Sequence, residues 1–236
     1  MPLVAILAGG LATRLRPVTL TIPKSMVEVA GEPFIAHQLR LLARAGVRNV
    51  VICSGHLGSQ IEAFVGDGVR FGCAVRYSAD GARPLGTGGA LRKALPLLEP
   101  EFMVMYGDSY LPIDLRAVYA AFRNAGLPGL MTVFRNEGRF DTSNADFASG
   151  RIMRYDKWNP TAAMKYIDYG LGILRRDCLI EFDAGQPFDL AELYRRLAAR
   201  HALAGYEADQ RFFEIGSPAG LAETRAFLAG RAQRFR

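Results

Sequence analysis

Short apolar runs alternate with segments of helical spacing along the first half of the chain, and this alternation constrains the fold more than any other feature. Residues Leu3 to Leu7 are continuously apolar and are followed by Gly9 and Gly10, as is typical of a buried parallel strand that enters a tight loop. A helical pattern from Phe34 to Ala45 and a β-branched run from Asn49 to Cys53 come next. The same patterns predict helices over 58–65, 88–98 and 114–125 and strands over 73–78, 102–106 and 129–134.

Strand and helix thus follow each other at intervals of about 20 to 30 residues, which is the spacing of βαβ units. The sequence predicts an α/β fold with a doubly wound, mainly parallel, Rossmann-like sheet. Ligands of such sheets bind at the carboxyl ends of the strands, where the strand order reverses. We therefore expect the functional residues in three loops, over 9–16, 78–89 and 107–110.

The pattern changes after about residue 138. Two longer extended segments, over 147–157 and 166–176, have no helical pattern between them. They predict an antiparallel excursion that forms a lid or subdomain over one side of the sheet. Helices are predicted again over 189–200 and 218–230, with a short strand over 211–215. With no repeat and no linker rich in Pro or Ser, one domain over 1–236 is the simplest organisation.

The charge balance leaves two kinds of partner open. The 236 residues carry 29 Lys and Arg against 23 Asp and Glu, a net charge of +6, and all but four of the basic residues are Arg. An excess of Arg suits phosphate or nucleic acid, because the guanidinium fork pairs with two phosphate oxygens. No run exceeds two consecutive basic residues, so we favour solvated Arg on helix surfaces and expect no nucleic-acid partner.

Cysteine usage and hydropathy predict the compartment. The three cysteines, Cys53, Cys73 and Cys178, lie in or beside apolar stretches and form no CxxC pair. They are expected to be reduced core thiols of a cytoplasmic protein. No apolar run approaches the roughly 20 residues that a membrane span needs, so no membrane partner is expected.

The loop after the first strand has the composition of an anion site. Gly9 and Gly10 allow backbone N–H groups to approach a ligand, and Arg14, Arg16 and Lys24 add positive charge. The later glycines of a dinucleotide-binding motif are absent, and Lys24 follows Pro rather than the Gly of a Walker A loop. The alternative is a surface loop with a few solvated Arg, which has no need of two glycines at the end of a buried strand.

The string LAGG…TRLRPVT…PK over residues 7–24 resembles the signature of sugar-1-phosphate nucleotidyltransferases, which join a sugar 1-phosphate to a nucleoside triphosphate and release pyrophosphate. The resemblance continues, in the family's order, through PLGTGGAL at 84–91, YGDSY at 106–110, YDKWNP at 155–160, YIDYGLGIL at 166–174 and FFEIGSP at 212–218. It implies a GT-A-like fold, with a nucleotide-binding core over 1–135 and a sugar-phosphate-binding part with C-terminal helices over 136–236.

The resemblance also implies catalytic roles. Arg14 would clamp the β and γ phosphates, Lys24 would reach the phosphates near the point of attack, and Asp108 would bind Mg²⁺. Glu214 occupies the position of the second metal ligand, where the family normally has Asp. The alternative for Asp108 is a helix N-cap before LPIDL, and the alternative for Glu214 is a structural contact or a contact with a sugar hydroxyl.

Substrate-binding residues are implied in the same way. Those for the nucleotide are Leu7, Ala8, Gly9, Gly10, Thr13, Arg14, Pro84, Gly86, Thr87 and Gly107. The glycines of PLGTGGAL would lie against the nucleobase. The alternative is a helix N-terminus with Thr87 as its cap and Gly88 and Gly89 in its first turn, and both interpretations can hold at once. Ala12 stands where the family usually has Gly, so one backbone phosphate contact is expected to be altered.

For the sugar phosphate, the resemblance points to Lys157 at the phosphate and to Asp168, Tyr169 and Gly170 at the sugar ring. By periodicity alone, Tyr169 could equally be an ordinary strand aromatic. YDKWNP together with YIDYGLGIL is most similar to guanylyltransferases that act on heptose 1-phosphate for bacterial surface polysaccharides, which favours GTP as the nucleotide.

Two alternatives stay open: uridylyl transfer to a hexosamine-type or N-acetylmuramate-type sugar 1-phosphate, and a non-catalytic module that binds nucleotide sugars. The sequence leaves assembly into a homo-oligomer open.

Overall fold

The computed structural model describes residues 1–10 and 13–233, with side chains as far as residue 230. The strands are β1 (Leu3–Ala8), β2 (Glu28–Val29), β3 (Glu32–Pro33), β4 (Asn49–Ser54), β5 (Ala74–Ala79), β6 (Glu101–Tyr106), β7 (Ser109–Tyr110), β8 (Gly129–Arg135), β9 (Ala145–Ala148), β10 (Arg151–Tyr155), β11 (Tyr166–Arg175), β12 (Leu203–Glu207) and β13 (Phe213–Glu214). The helices are α1 (Phe34–Arg44), α2 (Gly58–Val65), α3 (Gly86–Ala94), α4 (Leu115–Ala125), α5 (Leu190–Ala199) and α6 (Pro218–Gln233).

A mixed, mainly parallel sheet forms the centre of the molecule and confirms the predicted fold class. Among the described residues it has nine strands in the order β5-β4-β1-β6-β11-β8-β12-β10-β9. Within this sheet, seven strands run in one direction and β10 and β11 run in the other. Leu7 of β1 pairs with Cys53 of β4 and with Tyr106 of β6. The carboxyl ends of these three strands therefore lie level, and their loops meet.

The predicted lid over one side of the sheet is wrong. Strands β9, β10 and β11 are antiparallel to their neighbours, as expected, but they belong to the sheet itself. β11 lies between β6 and β8, and Leu171, Ile173 and Leu174 are buried. Side chains on both faces of β11 are apolar because helices cover both faces of the sheet at this position. The part of the chain over 136–236 thus supplies a strand to the middle of the core.

Helices cover both faces of the sheet, which explains the two apolar faces of β1. Alternate residues of β1 belong to two core clusters: Ala5 packs in the cluster that contains Leu91 of α3, and Ile6 in the cluster that contains Leu39 of α1 and Phe122 of α4. Burial of each such Leu or Phe side chain contributes about 1.5 to 3 kcal/mol. No helix within residues 1–10 and 13–233 is long and apolar enough to cross a membrane.

The cysteines are free and buried, as predicted. Burial raises the pKa of the Cys53 thiol to about 12 and that of Cys178 to about 11, with smaller contributions from nearby carboxylates. Thiols with such pKa values are poor nucleophiles at neutral pH. They are core side chains rather than reactive groups.

Candidate active site

A cleft of about 250 Å³ opens at the carboxyl ends of β1, β4 and β6. β4 lies on one side of β1 and β6 on the other, so the cleft is at the reversal of strand order where ligands of such sheets bind. Its lining includes Lys24, Asp108 and most of the residues predicted to bind nucleotide: Leu7, Ala8, Gly9, Gly10, Pro84, Gly86, Thr87 and Gly107. Thr13 is exposed and lies outside this lining, and Ala12 lies outside the described residues.

Two glycines allow the loops to meet at the cleft. A Cβ atom on Gly107 would lie 2.8 Å from the carbonyl oxygen of Leu7, to which the Gly107 N–H donates a hydrogen bond of 2.9 Å. A Cβ atom on Gly55, after β4, would lie 2.7 Å from the carbonyl oxygen of Gly9. Side chains at either position would push the loops apart, so the shape of the cleft depends on their absence.

Lys24 and Asp108 form an ion pair at the cleft, with Nζ and Oδ2 2.8 Å apart. Lys24 begins a 3₁₀ turn over Lys24–Met26, and Asp108 follows β6 after Gly107. Their side chains are 19% and 28% exposed, so both charges face the ligand space. The alternative of a helix N-cap at Asp108 is wrong, because Asp114 caps α4 by accepting from the backbone N–H groups of Arg116 and Ala117.

Arg14, Asp108 and Glu214 converge beside Gly216. A Cβ atom on Gly216 would lie 2.7 Å from Glu214 Oε2, 3.2 Å from Arg14 Nη2 and 3.3 Å from Asp108 Oδ2. Gly216 thus leaves room for one guanidinium and two carboxylates around one point. The fold brings together residues that are about 200 positions apart in the sequence.

The carboxylate of Glu214 is held by the start of α6. It accepts hydrogen bonds from the Gly216 N–H, from the Ser217 N–H at 3.1 Å and from the Ser217 hydroxyl at 2.5 Å. A carboxylate at a helix N-terminus satisfies donors that have no partner within the helix. The structural alternative for Glu214 therefore describes its observed contacts, and metal binding by Glu214 stays a prediction.

Asp108 has the chemistry of a magnesium ligand. Mg²⁺ takes one or two carboxylates together with substrate phosphate oxygens and waters. Within residues 1–10 and 13–233 no group of three or more His, Cys, Asp or Glu side chains is placed to hold a metal. The residues present fit a metal whose coordination is completed largely by substrate, with Asp108 as the ligand and Glu214 beside it.

The glycines of PLGTGGAL pack against Phe188, which sequence reasoning missed. A Cβ atom on Gly88 would lie 2.1 Å from the Phe188 ring, and one on Gly86 would lie 2.6 Å from the Phe188 carbonyl oxygen. That oxygen accepts hydrogen bonds from the N–H groups of Gly88 and Gly89 at the start of α3. The predicted contact with a nucleobase stays a prediction for Pro84, Gly86 and Thr87, which line the cleft.

Thr87 connects α3 with α5. Its hydroxyl donates to Asp189 Oδ1 at 3.0 Å and accepts from the Leu190 N–H at 2.8 Å. The predicted cap of its own helix by Thr87 is wrong: Leu85 is the N-cap of α3, and Thr87 lies in the first turn. The Thr87 hydroxyl serves the N-terminus of α5 instead. No local pattern indicates this, because Asp189 and Leu190 are about 100 residues away.

Asp168 and Gly170 form a bulge in β11 beside the cleft residue Tyr106. The pairing of β11 with β8 shifts between Asp168 and Gly172, and Gly170 has a φ of +95°. The Gly170 N–H donates to Asp168 Oδ1 at 2.9 Å, and the Tyr106 hydroxyl lies 3.5 Å from Oδ2. Burial raises the pKa of Asp168 to about 6, partly offset by the Gly170 hydrogen bond and the charge of Lys157.

The predicted contact between the Tyr169 ring and a sugar is wrong. Tyr169 is 1% exposed, and its ring packs edge-on against Phe212, with centroids 5.8 Å apart. The buried Tyr169 ring has no free surface for a sugar, whereas Asp168 lies beside the cleft residue Tyr106. The alternative of an ordinary strand aromatic describes Tyr169.

Asp80 is a cleft residue that sequence reasoning missed. It follows β5, is 9% exposed and accepts the Leu85 N–H at Oδ2 over 3.1 Å. A Cβ atom on Gly9 would lie 3.4 Å from the same oxygen, and burial raises the pKa of Asp80. The only sequence signal for it is a single carboxylate in one of the three expected loops.

Comparison with known proteins decides the family. A sequence model of the nucleotidyl transferase family matches residues 3–143. The chain belongs to this family. It is accordingly an enzyme of the sugar-1-phosphate nucleotidyltransferase class, to which its relatives belong. Enzymes of this family generally use a divalent metal, and their substrates are a nucleoside triphosphate and a sugar 1-phosphate.

Two curated relatives extend along nearly the whole nucleotidyl transferase. The N-acetylmuramate alpha-1-phosphate uridylyltransferase of Neisseria meningitidis serogroup B is 32% identical over 231 residues, 95% of this chain and 97% of the relative. The D-glycero-alpha-D-manno-heptose 1-phosphate guanylyltransferase of Campylobacter jejuni is 28% identical over 217 residues, 90% and 94% of the two chains.

Solved structures share the fold of the nucleotidyl transferase. A putative glucose-1-phosphate thymidylyltransferase from Bacillus anthracis superposes with a TM-score of 0.84 at 20% identity, over 96% of this chain and 94% of that one. HddC from Yersinia pseudotuberculosis, complexed with GMP-PN, gives a TM-score of 0.77 at 23% identity, over 97% and 100%.

Replacement of Asp168 by Asn is expected to stabilise the nucleotidyl transferase above pH 6. A folded pKa of about 6, raised from 3.8, means that the native state binds the proton more tightly than the unfolded chain does. Wild-type stability therefore falls as the pH rises from 4 through 6, and the uncharged amide of the variant removes this loss. We expect the gain in unfolding free energy to be about 1 to 2 kcal/mol larger at pH 8 than at pH 4, less than full conversion of the pKa shift because solvent screens the charge.

Urea unfolding at both pH values measures this difference. Asp156→Asn is the control of opposite sign, because the backbone N–H groups of Asn159 and Trp158 lower the pKa of Asp156. Its substitution should cost stability at pH 8 and progressively less as the pH falls. A pH-independent effect of Asp168→Asn would contradict the assignment.

Proposed function

We propose that this enzyme transfers a guanylyl group from GTP to a heptose 1-phosphate. An oxygen of the sugar phosphate attacks the α-phosphorus in line, the bond from that phosphorus to the β-phosphate oxygen breaks, and GDP-heptose and pyrophosphate result. The observation that carries the choice of base is the carboxylate of Asp80 in the cleft, beside Gly9.

Asp80 favours guanine over the other bases. An ionised carboxylate only accepts hydrogen bonds, and the Watson–Crick edge of guanine presents two adjacent donors, N1–H and the 2-amino group. Uracil presents one donor between two carbonyl oxygens, which a carboxylate repels. With a base that offers fewer donors, the recessed Asp80 carboxylate keeps little more than the Leu85 N–H as a partner, which lowers the affinity for that base. Asp80 therefore supports GTP as the preferred nucleotide and ranks UTP below it.

Arg14, Lys24 and Asp108 support the transfer step. Both reactants are anionic, so the protein's task is to hold them in line and to neutralise charge. Lys24 suits a phosphate as a compact point charge, and the Arg14 fork suits the departing pyrophosphate. Bound Mg²⁺, held by Asp108, would neutralise charge on the phosphates. The distance of 2.8 Å between Lys24 Nζ and Asp108 Oδ2 supports neighbouring positions for the phosphate and the metal.

The sugar assignment rests on Lys157, Asp168 and Gly170 together with the named activity of the Campylobacter relative. GTP is a cytoplasmic metabolite, so the proposal puts the enzyme in the cytoplasm, where GDP-heptose would serve surface-polysaccharide synthesis.

A second candidate, uridylyl transfer to an N-acetylmuramate-type sugar 1-phosphate, is favoured by one observation: the Neisseria relative is 32% identical along nearly the whole of both chains.

Pyrophosphate release tests the proposal. GTP, UTP, CTP and dTTP are each paired with the 1-phosphates of D-glycero-D-manno-heptose, mannose, glucose and N-acetylmuramate. We expect GTP with heptose 1-phosphate to have the highest kcat/KM, by about tenfold or more over UTP. Higher kcat/KM for UTP with N-acetylmuramate 1-phosphate would favour the second candidate. Tight binding of nucleotide sugars without turnover of any pair would indicate a non-catalytic module instead.

The variant Asp80→Asn tests the residue that carries the choice. Its amide can offer the base only one acceptor, so kcat/KM with GTP should fall about 10- to 100-fold. Turnover of UTP by the same variant is the internal control and should change far less. Equal losses with both nucleotides would remove Asp80 from base selection.

A further inference from the structure

The ammonium group of Lys157 has a defined place although the segment around it has no regular structure. Lys157 lies between β10 and β11, in a stretch described without helix or strand, and its side chain is 48% exposed. A lysine at such a position would ordinarily sample many rotamers, so ordering it carries an entropic cost. Its Nζ nevertheless lies 2.6 Å from Asp189 Oδ2.

Both carboxylate oxygens of Asp189 accept hydrogen bonds, so its side chain is fixed. Oδ1 accepts from the Thr87 hydroxyl and from the Ala191 N–H, each at 3.0 Å, so Asp189 is the N-cap of α5. Burial alone would raise the pKa of Asp189, but the hydrogen bonds from Lys157, Ala191 and Thr87 outweigh it and lower the pKa. Asp189 is therefore an anion at neutral pH. Its Oδ1 atom contacts Thr87 and Ala191, and its Oδ2 atom contacts Lys157.

The packing of α3 on α5 fixes the position of Asp189. The Phe188 carbonyl oxygen accepts from two N–H groups of α3, and the Phe188 N–H donates to the Leu85 carbonyl oxygen. The residue before Asp189 is thus tied to the loop that lines the nucleotide side of the cleft. Lys157 is held at a fixed position relative to that loop, and not merely to its own segment.

We propose that Asp189 is a positioning residue that holds the Lys157 ammonium ready to receive the phosphate of the sugar 1-phosphate. The inference rests on the proposed function, in which Lys157 binds that phosphate. An ammonium group has three donors, so it can keep its bond to Asp189 and still donate to a phosphate. Ordering Lys157 before binding removes an entropic cost from substrate association.

Asp189→Asn is the test variant, because Asn keeps the helix cap and the acceptor for Thr87 and loses only the charge that faces Lys157. We expect KM for D-glycero-α-D-manno-heptose 1-phosphate to rise about fivefold, with KM for GTP and kcat changed less than about twofold. Asp114→Asn is the matched control: it alters an exposed N-cap of the same type on α4 and should leave all three parameters unchanged.

A double-mutant cycle separates positioning from a structural role. In a Lys157→Ala background, Asp189→Asn should alter KM for the sugar phosphate by less than about twofold, because the partner is gone. An undiminished effect in that background, equal effects on both KM values, or a lower KM for the sugar phosphate would overturn the proposal. The last result would mean that Asp189 competes with the phosphate.

Lysine reactivity supplies a readout that needs no turnover. Acetylation of Lys157 by acetic anhydride, quantified by mass spectrometry against the exposed Lys165, should increase about two- to fivefold in Asp189→Asn. An unchanged Lys157 rate would overturn the pairing whatever the enzyme's substrate. Increased labelling in a protein that turns over no pair in the substrate panel would instead support the pairing and identify the proposed function as the failure.

Discussion

Replacement of Lys24 by Met is expected to lower kcat about 10³-fold, because the variant loses the cation nearest to Asp108 in the cleft. In the free enzyme, the Lys24 ammonium lies 2.8 Å from the Asp108 carboxylate. In the reaction it would face phosphate oxygens on which charge is redistributed, and a fixed cation in a recessed site stabilises that charge without reorganisation. Met fills a similar volume without charge, so the variant removes electrostatics rather than packing.

The free energy of unfolding should change by only about 1 kcal/mol in Lys24→Met, since the ion pair that it breaks is partly exposed to solvent. Pyrophosphate release gives kcat, and urea unfolding gives stability. Lys165→Met is the matched control, because Lys165 has an exposed side chain outside the cleft and its loss should leave kcat unchanged. A decrease of less than tenfold in Lys24→Met would show that the phosphates do not depend on this cation.

The sequence predicts the elements of this fold better than their arrangement. The patterns place β1, α2 and β6 within about one or two residues of their observed bounds, because each has a continuous or periodic apolar pattern with glycine or a charge at its end. They do not predict the insertion of β11 between β6 and β8, because strand order depends on contacts between distant segments. β12 lacks a clear pattern, since it contains Gly205 and only five residues.

The same distinction applies to the site. Gly9, Lys24 and Asp108 can be located from the sequence, because each directly follows or adjoins a recognisable strand or matches a family motif. Contacts between other distant segments cannot be located in this way. Asp189 holds Lys157 across 32 residues, and Phe188 explains the glycines of α3 across about 100. Motifs identify which side chains matter, and the packing of distant loops decides what each is free to contact.

Asp108→Asn is expected to lower kcat about 10³-fold at saturating substrates and to raise the Mg²⁺ concentration needed for half-maximal activity. Asn keeps an oxygen that can accept from Lys24, so the fold should be unaffected and the unfolding free energy nearly equal to that of the wild type. The substitution removes only the negative charge that would hold the metal. Titration of kcat with MgCl₂ measures both quantities.

Glu214→Gln distinguishes a ligand from a cap. Its carboxylate accepts three hydrogen bonds at the start of α6, and a Gln amide would direct an N–H₂ group at one of those donors. A cap alone predicts a loss of about 1 to 2 kcal/mol in stability with an unchanged Mg²⁺ requirement, in contrast to Asp108→Asn. If Glu214→Gln shifts the Mg²⁺ titration as strongly as Asp108→Asn, both carboxylates bind the metal, and Glu214 must exchange its contacts with α6 for the ion during the reaction.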